Sequence, residues 1–138
     1  MTPETIYDPL RRKDVTLTPE ERVRQWFIEQ LRNAAGVPLH QMMSEVALEY
    51  GAGKKWRADI VVYGHGGTPM AVVECKRPDV PISEAVAEQA LRYTAVQEVK
   101  FIFLTNGKET YVYKRNGSGF EPANAFPTYQ QMKETCQR

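Results

Sequence analysis

Arg57-Ala-Asp-Ile-Val-Val-Tyr63 and Met70-Ala-Val-Val-Glu-Cys-Lys76 are the two stretches on which the fold turns. Each is rich in β-branched, apolar residues and each carries one acid within its apolar run. Between them lies Gly64-His-Gly-Gly-Thr-Pro69, which has the composition of a turn. The pattern reads as two strands joined by a hairpin loop. Side chains alternate along a strand, so Asp59, Val61 and Tyr63 share one face, as do Met70, Val72, Glu74 and Lys76. Pairing Tyr63 with Met70 sets Asp59 directly opposite Glu74, with Cβ atoms about 4.5–5.5 Å apart. Loop length alone does not determine that register, and a slip of one residue would send the two acids to opposite faces.

Working outward, Thr18-Pro-Glu-Glu21 reads as a helix start, with Thr18 at the N-cap, Pro19 at the first turn and Glu21 closing a capping box. Val23, Trp26, Phe27, Gln30 and Leu31 then form a one-sided stripe of helical period. Asn33 to Gly36 and Pro38 end it. Residues 42–50 read as a strand and 51–55 as a turn. Beyond Lys76, Arg77 to Pro81 breaks the chain direction. A second helix is expected over 83–97, capped by Ser83. Residues 100–105 form an apolar strand, Asn106-Gly107 begins a turn, 109–115 form a last strand and 116–119 a loop. Residues 1–17 read as an extended arm, 18–115 as the domain, and 116–138 as a tail with a short helix near 128–137. The order α-β-β-β-α-β-β predicts an α/β fold, a mixed central β-sheet flanked by helices. The strand at 100–105 lacks polar alternation, as expected of one buried on both faces.

The 138 residues suit one domain. Hydrophobic residues at 42% and charged residues at 25% are those of an ordinary globular chain. A net charge of +1 argues against bulk coating of nucleic acid and leaves local basic patches open. No apolar run approaches the ~20 residues of a membrane span, and the first residues hold no signal-peptide core. The two cysteines, Cys75 and Cys136, make neither a disulfide framework nor a zinc site, so a reducing, cytoplasmic location is expected.

Two opposed carboxylates repel unless a positive charge lies between them, and each raises the other's pKa. A hard divalent cation removes the conflict, and oxygen ligands suit Mg²⁺ or Mn²⁺. The Cys75 side chain alternates toward the core, but its backbone carbonyl is a further candidate ligand. Lys76 points to the Glu74 side, where it could orient a water and stabilise negative charge. The plainer reading is two solvated acids, with Lys76 and Glu74 as a surface ion pair worth ~0–1 kcal/mol. Lys54, Lys55, Arg57, Lys76, Arg77 and Arg92 gather near the same residues and suit non-specific phosphate contacts. His40 and His65 lie in loops without ligand partners.

Arg57-Ala-Asp59-Ile-Val-Val-Tyr followed by Ala-Val-Val-Glu74-Cys-Lys76-Arg-Pro resembles the PD-(D/E)XK nuclease superfamily. The ordered set Thr18-Pro-Glu-Glu-Arg-Val-Arg-Gln25, Glu74-Cys-Lys-Arg-Pro78, Gln89-Ala-Leu-Arg-Tyr93 and Leu104-Thr-Asn-Gly107 is similar to the amino-terminal nuclease domain of type I restriction enzyme R (motor) subunits. The resemblance covers roughly residues 18–115. Ala58-Asp59 replaces the family's Pro-Asp and keeps the ligand. Gly51-Ala-Gly-Lys-Lys55 lacks the spacing of a P-loop, so no ATPase motor is expected in this chain.

The resemblance implies a restriction-endonuclease-like fold and Mg²⁺- or Mn²⁺-dependent endonuclease cleavage of DNA phosphodiester bonds. Asp59 and Glu74 would be the metal ligands, joined by Cys75 through its carbonyl, and Lys76 would be catalytic. It further implies that Gln89 reaches the site and that Tyr93 helps place the DNA backbone, beside Lys54, Lys55, Arg77 and Arg92. Such domains also use a first-helix glutamate. Glu20 is in phase with Val23, Arg24, Phe27 and Leu31, whereas Glu21 is accounted for by the capping box. The expected partners are DNA and separately encoded motor, modification or specificity subunits. The alternatives are a non-cleaving DNA- or partner-binding module on the same fold, and a repair or Holliday-junction nuclease.

Overall fold

A computed structural model describes residues 3–49, 53–94 and 99–136, except for the side chains of 92–94. The expected end of the strand at 50, the start of the turn at 51–52 and the end of the second helix at 95–97 lie outside the described residues.

The chain begins with a two-stranded antiparallel hairpin, β1 (Thr5–Asp8) and β2 (Lys13–Thr16), where the sequence suggests an extended arm. Asp8 is fully buried at its turn, binds the Arg11 guanidinium and accepts the Leu10 N–H at 2.9 Å. Burial pushes the Asp8 carboxyl up, but the Arg11 and Leu10 hydrogen bonds outweigh it and hold it below the ordinary range. The hairpin has no hydrophobic periodicity to announce it; the buried charge of Asp8 and a single apolar side chain, Leu10, anchor it to the core. Asp8→Ala is expected to cost about 2–4 kcal/mol, since it strips a partner from a largely buried cation. Thermal melts check this, and an unchanged Tm would return the segment to the status of a loose arm.

Helix α1 (Pro19–Asn33) starts as its sequence dictates, with Thr18 Oγ1 accepting the Glu21 N–H at 3.1 Å and Pro19 in the first turn. Only half of the capping box forms. The Glu21 carboxylate turns to Arg11 at 2.6 Å and Gln25 at 3.0 Å, and the Thr18 N–H bonds the Thr16 carbonyl instead. A charged donor outcompetes a backbone amide for a carboxylate.

The main sheet has six strands in chain order: β3 (Met42–Glu49), β4 (Lys55–Tyr63), β5 (Pro69–Cys75), β6 (Phe101–Thr105), β7 (Thr110–Asn116) and β8 (Gly119–Pro122). Neighbours are antiparallel except β5 and β6, which run parallel. Parallel strands need a crossover, and helix α2 (Glu84–Thr94) lies within it. Strand β8 was not expected. Asn116 pairs with Gly119 across a two-residue turn, with Gly117 at φ 64°, a conformation glycine adopts without strain.

The sheet is covered on both faces. On one, Val23, Phe27, Ile28 and Leu31 of α1 meet Ile60, Val62, Val73, Cys75 and Phe103, with Tyr129 and Met132 of the last helix, α3 (Tyr129–Cys136). On the other, Ala87 and Ala90 of α2 meet Ala58, Val61, Val72, Ile102 and Leu104. Every residue of β6 is buried, as its unbroken apolar run requires. No described helix is long and apolar enough to cross a membrane.

The register between β4 and β5 differs from expectation at one end. Tyr63 pairs with Pro69, not Met70, because the ladder shifts between Val62 and Tyr63. Such a bulge turns the following side chains, and Met70 joins the α1 face rather than that of Val72. Beyond the bulge the pairs are Val62–Ala71, Val61–Val72 and Ile60–Val73. One further step along that register brings Asp59 level with Glu74.

Candidate active site

The backbone ladder of β4 and β5 ends at Ile60–Val73, and a side chain takes over from it. Asp59 Oδ2 accepts the Cys75 N–H at 2.7 Å, which aims the carboxyl across the gap between the strands. Opposite, Glu45 of β3 adopts φ 53°, and the β3–β4 ladder has no pair between Ser44–Ile60 and Val46–Ala58. Non-glycine residues rarely adopt such a φ, and the irregularity lies beside the acid.

Glu74 follows Val72 on the α2 face, and its Oε1 is buried without a hydrogen-bond partner. Burial pushes the Glu74 carboxyl up to about 8. The Asp59 charge adds to this rise and Lys76 opposes it. Burial likewise pushes Asp59 up to about 6, against the Cys75 N–H and the Arg24 cation. For both acids burial therefore outweighs the nearby Arg24 and Lys76 cations, and each acid makes the other's ionisation harder. Glu20 of α1 is half-buried and its charge bears on both acids, whereas Glu21 is buried in the Arg11 and Gln25 contacts.

A cavity of about 270 Å³ opens beside Glu74, lined by Lys76, Gln89, Val86, Ala90, Leu104 and Trp56. Glu74, Lys76 and Gln89 thus share one wall system, contributed by β5, its end and α2. Trp56 was not singled out from the sequence. Its signal was available, since it lies two residues before the buried Ala58 on the same strand. The Cys75 thiol is buried on the α1 face, and burial pushes its pKa well above the usual value, so the residue contributes backbone to the site.

Lys54 and Lys55 are exposed at the start of β4, with Lys55 opposite Glu49. Asp59 lies four positions along the strand from Lys55, about 13 Å at roughly 3.3 Å per step. Arg77 is exposed and pairs with Asp79 at 3.2 Å. The side chains of Arg92 and Tyr93 lie outside the described residues. Among the described residues no three His, Cys, Asp or Glu side chains converge as a complete metal cage. Two carboxylates with a bare buried oxygen do fit Mg²⁺, which is commonly held by one or two carboxylates and keeps several waters.

A six-stranded mixed sheet between helices, with two acids and a lysine where two strands part, defines a restriction-endonuclease-like fold. The family described as the type I restriction enzyme R protein N terminus matches residues 19–127. The chain belongs to that family, a nuclease-like domain. Among solved structures it is similar to a fragment assigned to an HsdR subunit of a type I restriction enzyme from Vibrio vulnificus YJ016. There the TM-score is 0.62 at 21% identity, over 88% of this chain and 26% of the other. A protein of the DUF820 group from Anabaena variabilis ATCC 29413, assigned as a nuclease, matches with a TM-score of 0.55 at 14% identity, over 96% and 85% of the two chains. At these identities the likenesses show the fold, and the chain spans about a quarter of the HsdR fragment. No curated protein matches the sequence.

Proposed function

We propose that the domain is a metal-dependent deoxyribonuclease that hydrolyses phosphodiester bonds, and that Mg²⁺ or Mn²⁺ is its cofactor. The observation that carries this reading is the bare, buried Glu74 Oε1 beside Asp59, with Lys76 on the same wall. Asp59 and Glu74 hold the cation, with the Cys75 carbonyl as a further oxygen. When bound, the cation supplies the charge that lets both acids ionise and that polarises the scissile phosphate. Lys76 orients the attacking water and faces the negative charge that grows on the phosphate oxygens. Gln89 positions the water or phosphate from the α2 side, and Glu20 adds negative potential from α1. Lys54, Lys55, Arg77, Arg92 and Tyr93 contact the DNA backbone without reading sequence. In the cell the domain acts in the cytoplasm with motor, modification and specificity subunits, as its family membership suggests.

Millimolar Mn²⁺ is expected to raise the Tm of the wild type by mass action and to support plasmid nicking. The double variant Asp59→Ala, Glu74→Ala should show neither effect. An equal shift in both proteins, or no nicking by the wild type in Mn²⁺ or Mg²⁺, would favour a non-cleaving DNA-binding module instead.

A further inference from the structure

A chain of buried charge runs from the N-terminal hairpin to the acid pair. Arg11, at the end of the β1–β2 turn, binds Asp8 and reaches Glu21 Oε1 with Nη2 at 2.6 Å. The other Glu21 oxygen accepts from Gln25 Nε2 at 3.0 Å and faces Arg24 Nε at 3.3 Å. That last approach is an ion pair without hydrogen-bond geometry, so Arg24 Nε is left unbonded. The rest of the Arg24 guanidinium points at the site. Nη2 lies 3.9 Å from Asp59 Oδ1 and 3.4 Å from Glu45 Oε1. Nη1 donates to Ser44 Oγ at 3.3 Å, and that hydroxyl donates to the Asp59 carbonyl at 3.3 Å.

Asp59 is therefore held from two sides. The Cys75 N–H holds Oδ2, and Arg24 faces Oδ1 while bracing the Asp59 backbone through Ser44. We infer that Arg24 is a positioning residue for Asp59, and that the N-terminal hairpin holds Arg24 in place through Arg11 and Glu21. The Arg24 side chain is 8% exposed, so its charge is poorly screened and its fork is confined. Glu45 completes the clamp, since its Oε1 faces Arg24 at 3.4 Å and Arg11 at 3.6 Å. Glu45 sits at the positive-φ position of β3, and its carboxylate meets both arginines. A hairpin distant in sequence from the acids is thus part of the site, and this role for Arg24 rests on the nuclease reading.

The reporter is the Cys75 amide, which needs neither metal nor DNA. In the metal-free full chain, Arg24→Met is expected to lower hydrogen-exchange protection of the Cys75 N–H about tenfold or more. The Ile102 amide in the central strand should be unchanged. Arg24→Lys, which keeps the charge, should restore part of the protection. Arg11→Met should shift Cys75 in the same direction by less, and it decides the question if Arg24→Met does not fold. In Mn²⁺, Arg24→Met should nick plasmid about 10–100-fold more slowly, the scale of a lost ligand-orienting partner. Unchanged Cys75 protection in Arg24→Met, or in Arg11→Met if that variant has to decide, overturns the inference. A loss shared equally by Ile102 also overturns it, because Arg24 would then support only global stability. Selective loss at Cys75 in a wild-type background that neither binds Mn²⁺ nor nicks would keep the positioning role and sink the nuclease reading.

Discussion

Lys76→Ala is expected to lower the rate of plasmid nicking by about 10²–10³-fold while leaving the fold and most of the Mn²⁺ affinity intact. The magnitude is that of removing one preorganised charge from a site where negative charge develops. Lys76 lines the same cavity as Glu74, and its charge already opposes the upward shift of both acids. It lies just past the end of β5, where its N–H bonds the Thr105 carbonyl of β6 at 2.8 Å, so its backbone is anchored by the sheet. A cation held there gains most when the phosphate approaches its transition state, so the loss should fall on turnover rather than on DNA affinity. Nicking assays at saturating Mn²⁺, with anisotropy measurements of duplex binding, separate the two. A variant that cuts at the wild-type rate would remove Lys76 from the mechanism. A variant that loses binding and turnover together would make it a phosphate contact only.

Glu74→Gln should reverse the order of stabilities between metal-free and metal-loaded protein. Burial places the Glu74 carboxyl near 8 and Asp59 near 6 in the folded state, above their values in the unfolded chain. A folded state that holds its protons more tightly is favoured at low pH. The contribution is full below about pH 4 and is lost as pH rises through about 6 and then about 8. In chelator, wild-type stability should therefore fall between pH 5 and 8.5. Glutamine cannot ionise, so the variant should show a shallower fall and exceed the wild type at pH 8 by on the order of 2–4 kcal/mol. Millimolar Mn²⁺ should lift the wild type and leave the variant little changed, because the lost oxygen is a ligand. Denaturant titrations at pH 5 and 8, in EDTA and in Mn²⁺, read all four values. A variant less stable than the wild type at pH 8 in EDTA would show that burial does not strain Glu74.

The approach of the acids was readable because side chains alternate along the paired stretch and each acid sits beside an apolar run. The register error at Tyr63 did not spread, since the bulge lies at the loop end of the ladder and the acids at the other. Position 63 was misjudged because a six-residue loop can close with or without an extra residue on one strand. Strand β8 was missed for a similar reason. Gly-Phe-Glu-Pro has little apolar alternation, and it pairs at the edge of the sheet with only Phe120 packed against the core.

The choice between Glu20 and Glu21 shows where local reading stops. Capping logic gave Glu21 a reason to be at the helix start, and the structure gives it a different one, in Arg11 of the hairpin. That contact spans ten residues and has no signature in spacing.

The amino-acid sequence by itself determined the order of elements from α1 to β7, the burial of the 101–105 strand on both faces and the sharing of one side of the sheet by Glu74 and Lys76. These follow from periodicity, capping and turn chemistry, which act between near neighbours in the chain. Only the tertiary structure decided that Asp59 is held by the Cys75 amide, that Arg24 faces it, and that the N-terminal residues form a hairpin braced against the site. Those outcomes depend on which charged groups meet once the core has closed. Buried charges pair by distance in space, and nothing in local periodicity encodes that distance.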